Sequence, residues 1–187
     1  MCPPRWTTRA RRRVRAPRLP ANRVTVSPAR RRAPGSREPE RRRTPVKLEA
    51  WIDGGARGNP GPAGYGVIIT DSRGRRLRER WGYLGRATNN VAEYRGLIAA
   101  LESALELGAQ ELTVHTDSEL VQRQVTGRYK IRQPHLKDLA ARVQELAARF
   151  ARFEIEHVGR SENADADALA NRAMDTRESG EREVERP

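Results

Sequence analysis

The chain has 187 residues, room for one ordinary domain plus extra segments, and a formal net charge of +13. Residues 1–45 hold the whole excess, with 15 Arg against Glu38 and Glu40, while residues 46–187 balance 22 bases against 22 acids, so overall basicity describes the first segment alone. Cys2 is the only cysteine, which excludes an intrachain disulfide and fits a reducing, cytoplasmic setting, and no apolar run approaches the ~20 residues of a membrane span.

Residues 1–45 are rich in Arg and Pro and poor in periodic apolar residues, so they are expected to stay disordered. Their charge runs, Arg11–Arg13, Arg30–Arg32 and Arg41–Arg43, admit three readings. They form a solvated arm (or a stretch upstream of the true start), an electrostatic arm for phosphate backbones, or an organelle-targeting segment. The folded part is expected over residues 46–176, with a charged tail over residues 177–187.

Lys47–Ile52 alternates and reads as a strand. A Gly- and Pro-rich loop is expected over Asp53–Pro62, then a strand over Gly64–Thr70, a turn at Asp71–Gly74 and a strand over Arg75–Leu84. Asn89–Leu107 reads as a helix stopped by Gly108. Leu112–Thr116 is a fourth strand, Asp117–Val125 a short helix, and Pro134–Phe150 a helix with Pro in its first turn. Phe153–Val158 is a fifth strand and Glu162–Asp175 a last helix, with fraying expected beyond. Three consecutive strands suggest an antiparallel meander, and strands reached through helices suggest parallel additions. The fold class is therefore mixed α/β, a five-stranded mixed sheet flanked by helices.

Four carboxylates stand out. Asp53 opens the glycine-rich segment, which is too long for a tight hairpin and lacks the Gly-Lys-Ser/Thr of a phosphate loop; its glycines let backbone approach something large. Glu93 falls on the inward side of its helix, away from Arg95, Glu102 and Glu106, where a carboxylate needs a salt bridge or a metal. Asp117 follows the fourth strand, and Thr116-Asp117-Ser118-Glu119 has the form of a capping box, so alone it reads as structural. Asp165 and Asp167 flank the apolar stripe of the last helix, and periodicity does not choose between them. If four acids converge, two like charges ~4 Å apart cost about 4 kcal/mol at an effective dielectric near 20, and the cluster either protonates or binds divalent cations. Oxygen ligands without Cys select Mg²⁺, with Mn²⁺ as the alternative, and two such ions suit phosphodiester chemistry.

At these residues the sequence resembles type 1 ribonuclease H. The blocks are Asp53–Gly66, Thr88-Asn89-Asn90-Val91-Ala92-Glu93, Thr116-Asp117-Ser118 and Asn163–Asn171, in family order across residues 47–175. The resemblance implies the ribonuclease H fold, cleavage of the RNA strand of an RNA–DNA hybrid giving 5′-phosphate and 3′-hydroxyl ends, and two Mg²⁺ ions held by Asp53, Glu93, Asp117 and Asp167. It favours Asp167 over Asp165. It implies that Asp53 bridges both ions, that Glu93 also meets a ribose 2′-OH, and that Asp167 holds the ion beside the nucleophile. It also implies that Gly54, Gly55, Asn89 and Asn90 line the hybrid's minor groove, with Asn59 and Thr88 near a DNA-strand phosphate.

The sequence departs from many relatives in three places. The loop before the last helix is short, and Arg160 stands where a short-loop branch of the family replaces a mobile His; His157 is the weaker candidate. Glu119 replaces a Gln that contacts a base. The segment from Gly127 to Pro134 is too short for the basic protrusion of some relatives, whose grip on substrate the Arg-rich segment would assume. No membrane partner is expected, since no apolar run is long enough to span one, and the chain is expected to be a monomer. Three alternatives are a close variant that also cuts double-stranded RNA, a module that binds nucleic acid without cutting it, and a resolvase- or integrase-like nuclease on the related fold; the Gly-rich block and Thr-Asn-Asn-x-x-Glu disfavour the last.

Overall fold

The computed structural model describes residues 45–184. The expectations for a disordered basic segment and its Arg runs fall outside the described residues. The first three strands, β1 (Lys47–Ala56), β2 (Gly61–Asp71) and β3 (Arg76–Ala87), form the expected antiparallel meander. Helix α1 (Asn89–Glu106) leads to β4 (Glu111–Thr116); α2 (Glu119–Val125) and α3 (Pro134–Ala147) lead to β5 (Arg152–His157). A single 3-10 turn (Arg160–Glu162) precedes α4 (Ala164–Thr176), and β6 (Gly180–Glu183) closes the chain. The sheet order is β5-β4-β1-β2-β3-β6, with β4 parallel to β1 and β5 parallel to β4.

The sheet therefore has six strands where five were expected. Gly180–Glu183 has no apolar alternation to announce a strand. It forms by pairing with the open edge of β3, in register from Arg78↔Glu183 to Trp81↔Gly180. Ion pairs add to the ladder: buried Arg78 donates to Glu183 at 2.9 Å and Arg182 to buried Glu79 at 2.6 Å. A Cβ at Gly180 would come within 2.7 Å of the Trp81 ring, so the strand can lie there only with glycine at that position.

The second correction concerns Asp53–Pro62. Most of it is strand, not loop: Gly54, Gly55 and Ala56 pair with Tyr65, Gly64 and Ala63, leaving only residues 57–60 to turn the chain. The large thing its glycines admit is helix backbone. A Cβ on Gly54 would sit 2.3 Å from the Glu93 amide nitrogen of α1, and one on Gly66 would sit 2.2 Å from the Ala166 carbonyl of α4. Glycine here serves close helix–sheet contact.

Alternation along β1 assigns the two faces. Leu48, Ala50 and Ile52 pack with Val67, Leu112, Val114 and the apolar stripes of α1 and α3, including Tyr94, Leu97, Leu101 and Val143. The opposite face, carrying Trp51, Asp53 and Gly55, is the one over which α4 lays Ala166, Ala170 and Ala173. Among the described residues no helix is long and apolar enough to cross a membrane.

Candidate active site

The sheet brings the first two acids together. In the parallel β1–β4 pair Ile52 faces Thr116, so Asp53, still within β1, and Asp117, just past the end of β4, follow the last paired residues side by side. The capping-box reading of Asp117 does not hold. Thr116 is still in the ladder, opposite Ile52 and His157, and its carbonyl accepts from Val158 N at 2.9 Å. The cap of α2 is instead Ser118, whose Oγ accepts from Val121 N. Asp117 thus stands between strand and helix with its carboxylate free of capping.

The helices supply the other two. Thr88 Oγ1 caps α1 by accepting from Val91 N at 3.4 Å, and five residues later Glu93 reaches the end of β4, where its Oε2 accepts from Ser118 Oγ at 2.7 Å. No Lys or Arg among the described residues pairs with Glu93, so the inward salt bridge is not what satisfies it. The ambiguity on α4 resolves by geometry. Asp165 points toward β3 and pairs with Arg76, whereas Asp167, two residues on, faces the cleft.

One cleft is lined by Asp53, Glu93, Asp117 and Asp167 together with Gly54, Gly55, Asn89 and Arg160. Burial, then the charges of Asp117 and Asp167 and a side-chain hydrogen bond with Asp117, push the Asp53 carboxyl from an ordinary 3.8 up to about 7. Burial likewise pushes Glu93 from 4.5 to about 7, with the Ser118 hydroxyl opposing and the Asp117 charge adding. Among the described residues, no three His, Cys, Asp or Glu side chains stand close enough together to hold a metal ion as they are placed. Four carboxylates and no Cys or His make a donor set for hard divalent cations, and a cation would reverse what raises Asp53 and Glu93.

The remaining predicted residues divide. Arg160 sits at the cleft mouth, its side chain 94% exposed and its Nε 3.8 Å from Asp117 Oδ2. His157 ends β5 and is exposed. Asn89 Oδ1 accepts from Ala56 N at 2.7 Å, and its own N–H donates to Asn59 Oδ1 at 3.3 Å, tying the start of α1 to the β1–β2 turn. Asn59, Thr88 and Asn90 do not line the cleft. Glu119 is turned outward in an exposed pair with Arg123. Sequence reasoning passed over Asn171, Met174 and Arg57 in the lining, and Ser118 and Asn163, which hold the acids. Ser and Asn near helix starts read as caps, so only their contacts separate them from ordinary ones.

The comparisons with known proteins agree with this geometry. A family model described as "Reverse transcriptase-like" matches residues 52–173. The chain is similar to the "Bifunctional protein Rv2228c" of Mycobacterium tuberculosis, 53% identical over 131 residues, 70% of this chain and 36% of that protein. It thus spans about a third of the length of the mycobacterial relatives it matches. It is 39% identical to a "Ribonuclease H" of Halorhodospira halophila over 68% of this chain and 93% of that one. Among solved structures it matches LC11-RNase H1 in complex with an RNA/DNA hybrid at 44% identity and a TM-score of 0.67, over 70% of this chain and 98% of that one.

Proposed function

The chain belongs to the ribonuclease H family, and from that premise we propose that it hydrolyses the RNA strand of RNA–DNA hybrids internally, leaving 5′-phosphate and 3′-hydroxyl ends. The observation that carries the reading is the one cleft into which β1, α1, the β4–α2 connection and α4 each send one carboxylate. A module that only binds nucleic acid gains nothing from four acids beside phosphates. The short connection from His157 to Ala164, with its one 3-10 turn and Arg160, supports the type 1, short-loop form.

In this reading Asp53, Glu93, Asp117 and Asp167 hold two Mg²⁺ ions, or Mn²⁺. When bound, such ions lower the pKa of a water and stabilise the oxygen leaving the phosphodiester. The chain's own contribution is placement. Ser118 fixes Glu93, and α4 turns Asp167 toward Asp53 on β1 and Asp117 just past β4. Gly54 and Gly55 leave a floor without side chains for a sugar edge, and Asn89 spends its carbonyl oxygen inside the fold, leaving its Nδ2 to donate to substrate. Arg160, extended into solvent, meets the phosphate as it enters and releases it after cleavage. A 2′-OH contact at Glu93 makes RNA the required cut strand.

The test is one cleavage assay on purified full-length chain. Labelled hybrid, duplex RNA and duplex DNA are each incubated with Mg²⁺, Mn²⁺ or chelator. Internal cuts confined to the RNA of the hybrid support the reading. Cuts in duplex RNA would widen the substrate class, and tight binding without cutting would replace the nuclease by a binder.

A further inference from the structure

Asn163 is the residue at the start of α4 and is 2% exposed. Asn at a helix N-terminus ordinarily caps, accepting a backbone N–H with its side-chain oxygen. Here it makes no cap bond. Its Nδ2 instead donates to the Ile52 carbonyl at 2.8 Å and to Asp117 Oδ1 at 3.2 Å, while its Oδ1 is buried without a partner among the described residues. The amide orientation is fixed by these bonds, since the reverse would turn an oxygen toward two acceptors. Its backbone carbonyl accepts from Asp167 N at 3.1 Å.

This one residue therefore touches the peptide preceding Asp53, the carboxylate of Asp117 and the amide of Asp167. We propose that Asn163 is a positioning residue that clamps Asp117 to β1 and docks α4 so that the cleft acids stand ready for divalent ions. The inference rests on the reading of that cleft as a metal site. A helix cap satisfies its own helix, and a core residue fills space with its polar atoms paired. Asn163 does neither: it leaves its own helix uncapped and one of its oxygens unpaired, and spends its donor on the site. Removing the donor frees Asp117 to swing from its neighbours, and the loss is felt as weaker ion binding. Partners of this kind behind metal ligands typically contribute 10–100-fold to affinity.

The experiment measures Mn²⁺ binding to the full-length chain without substrate, by calorimetry or by the free-ion electron paramagnetic resonance signal, in wild type, Asn163→Leu and Asn163→Ala. Val143→Ala, a core truncation in α3 remote from the cleft, supplies a control for loss of stability alone. The expected result is a Mn²⁺ dissociation constant raised 10–100-fold in both Asn163 variants and unchanged in Val143→Ala, with half-maximal cleavage shifted to correspondingly higher Mn²⁺. Affinities within twofold of wild type in folded Asn163 variants would overturn the inference while leaving the nuclease reading intact. An equal loss in Val143→Ala would also overturn it, by showing a general stability effect. A wild-type chain that binds no Mn²⁺ would remove both this inference and the metal-site reading.

Discussion

Removing the charge of Asp53 should stabilise the metal-free protein. In the folded chain this carboxyl is pushed from 3.8 to about 7 by burial and by Asp117 and Asp167. A raised folded pKa means that the folded state holds its proton more tightly than the unfolded state. The associated stability is complete below pH 3.8 and is lost as pH rises toward 7. At about 1.36 kcal/mol per pKa unit the full difference has a ceiling of ~4 kcal/mol. The cleft is open to water, and screening reduces this to about 2 kcal/mol. Asp53→Asn keeps the shape without the charge. In chelator at pH 8 its melting temperature should exceed wild type by roughly 4–8 °C, taking about 2–4 °C per kcal/mol for a chain of this size. At pH 5 the gain should shrink to less than half, because the wild-type carboxyl is then already protonated in the fold. Saturating Mg²⁺ should close the gap from the other side, since ions that bind only the folded wild type raise its stability. The assay is a thermal melt across pH 5–8 with chelator or Mg²⁺. An Asp53→Asn protein that melts at or below wild type at pH 8 in chelator would refute the claim that repulsion and burial load this site.

Other outcomes follow from the same coordinates. Gly54→Ala should cost about 3 kcal/mol or more in chemical denaturation, because its Cβ would meet the Glu93 amide at 2.3 Å, whereas Gly55→Ala, 3.7 Å from Met174 Cε, should be nearly neutral. Arg160→Ala should reduce hybrid turnover on the order of 10–100-fold with the melting temperature unchanged, since a side chain 94% exposed packs against nothing. Metal affinity should fall as pH drops below about 7, where Asp53 and Glu93 take up protons that an ion must displace; pH-dependent Mn²⁺ titrations check this. Removing residues 1–45 should leave the rate of chemistry intact and flatten the salt dependence of hybrid affinity, read from binding at several ionic strengths.

The elements that sequence revealed most clearly were those with strong period: the 18-residue α1 with its Gly108 stop, and β1 and β4 with their alternation. The antiparallel meander and the parallel later strands followed from which strands are joined through helices. What escaped was set by partners distant in the chain. Gly54 and Gly55 look like loop until α1 and α4 are known to lie on them. Glu181 and Glu183 look like a frayed end until β3 offers an edge and Arg78 a charge. The site divided in the same way. Glu93 was conspicuous because an acid on the inward side of a helix needs a salt bridge or a metal, and only the structure shows no Lys or Arg among the described residues pairing with it. Asp117 and Asp165 were ambiguous because capping and solvation explain them equally well, and only the register Ile52↔Thr116 and the Arg76 pair decide. Asn163 opens the last block of the resemblance, but nothing in the sequence gave its role, which consists of contacts to Ile52 and Asp117, 111 and 46 residues away.

The convergence of the acids on divalent ions is tested most directly by anomalous diffraction from crystals grown with Mn²⁺. The account predicts manganese density in the cleft between Asp53, Glu93, Asp117 and Asp167, absent or weakened in Asp53→Asn. Manganese bound only elsewhere on the protein, with this cleft holding none at saturating concentration, would contradict it.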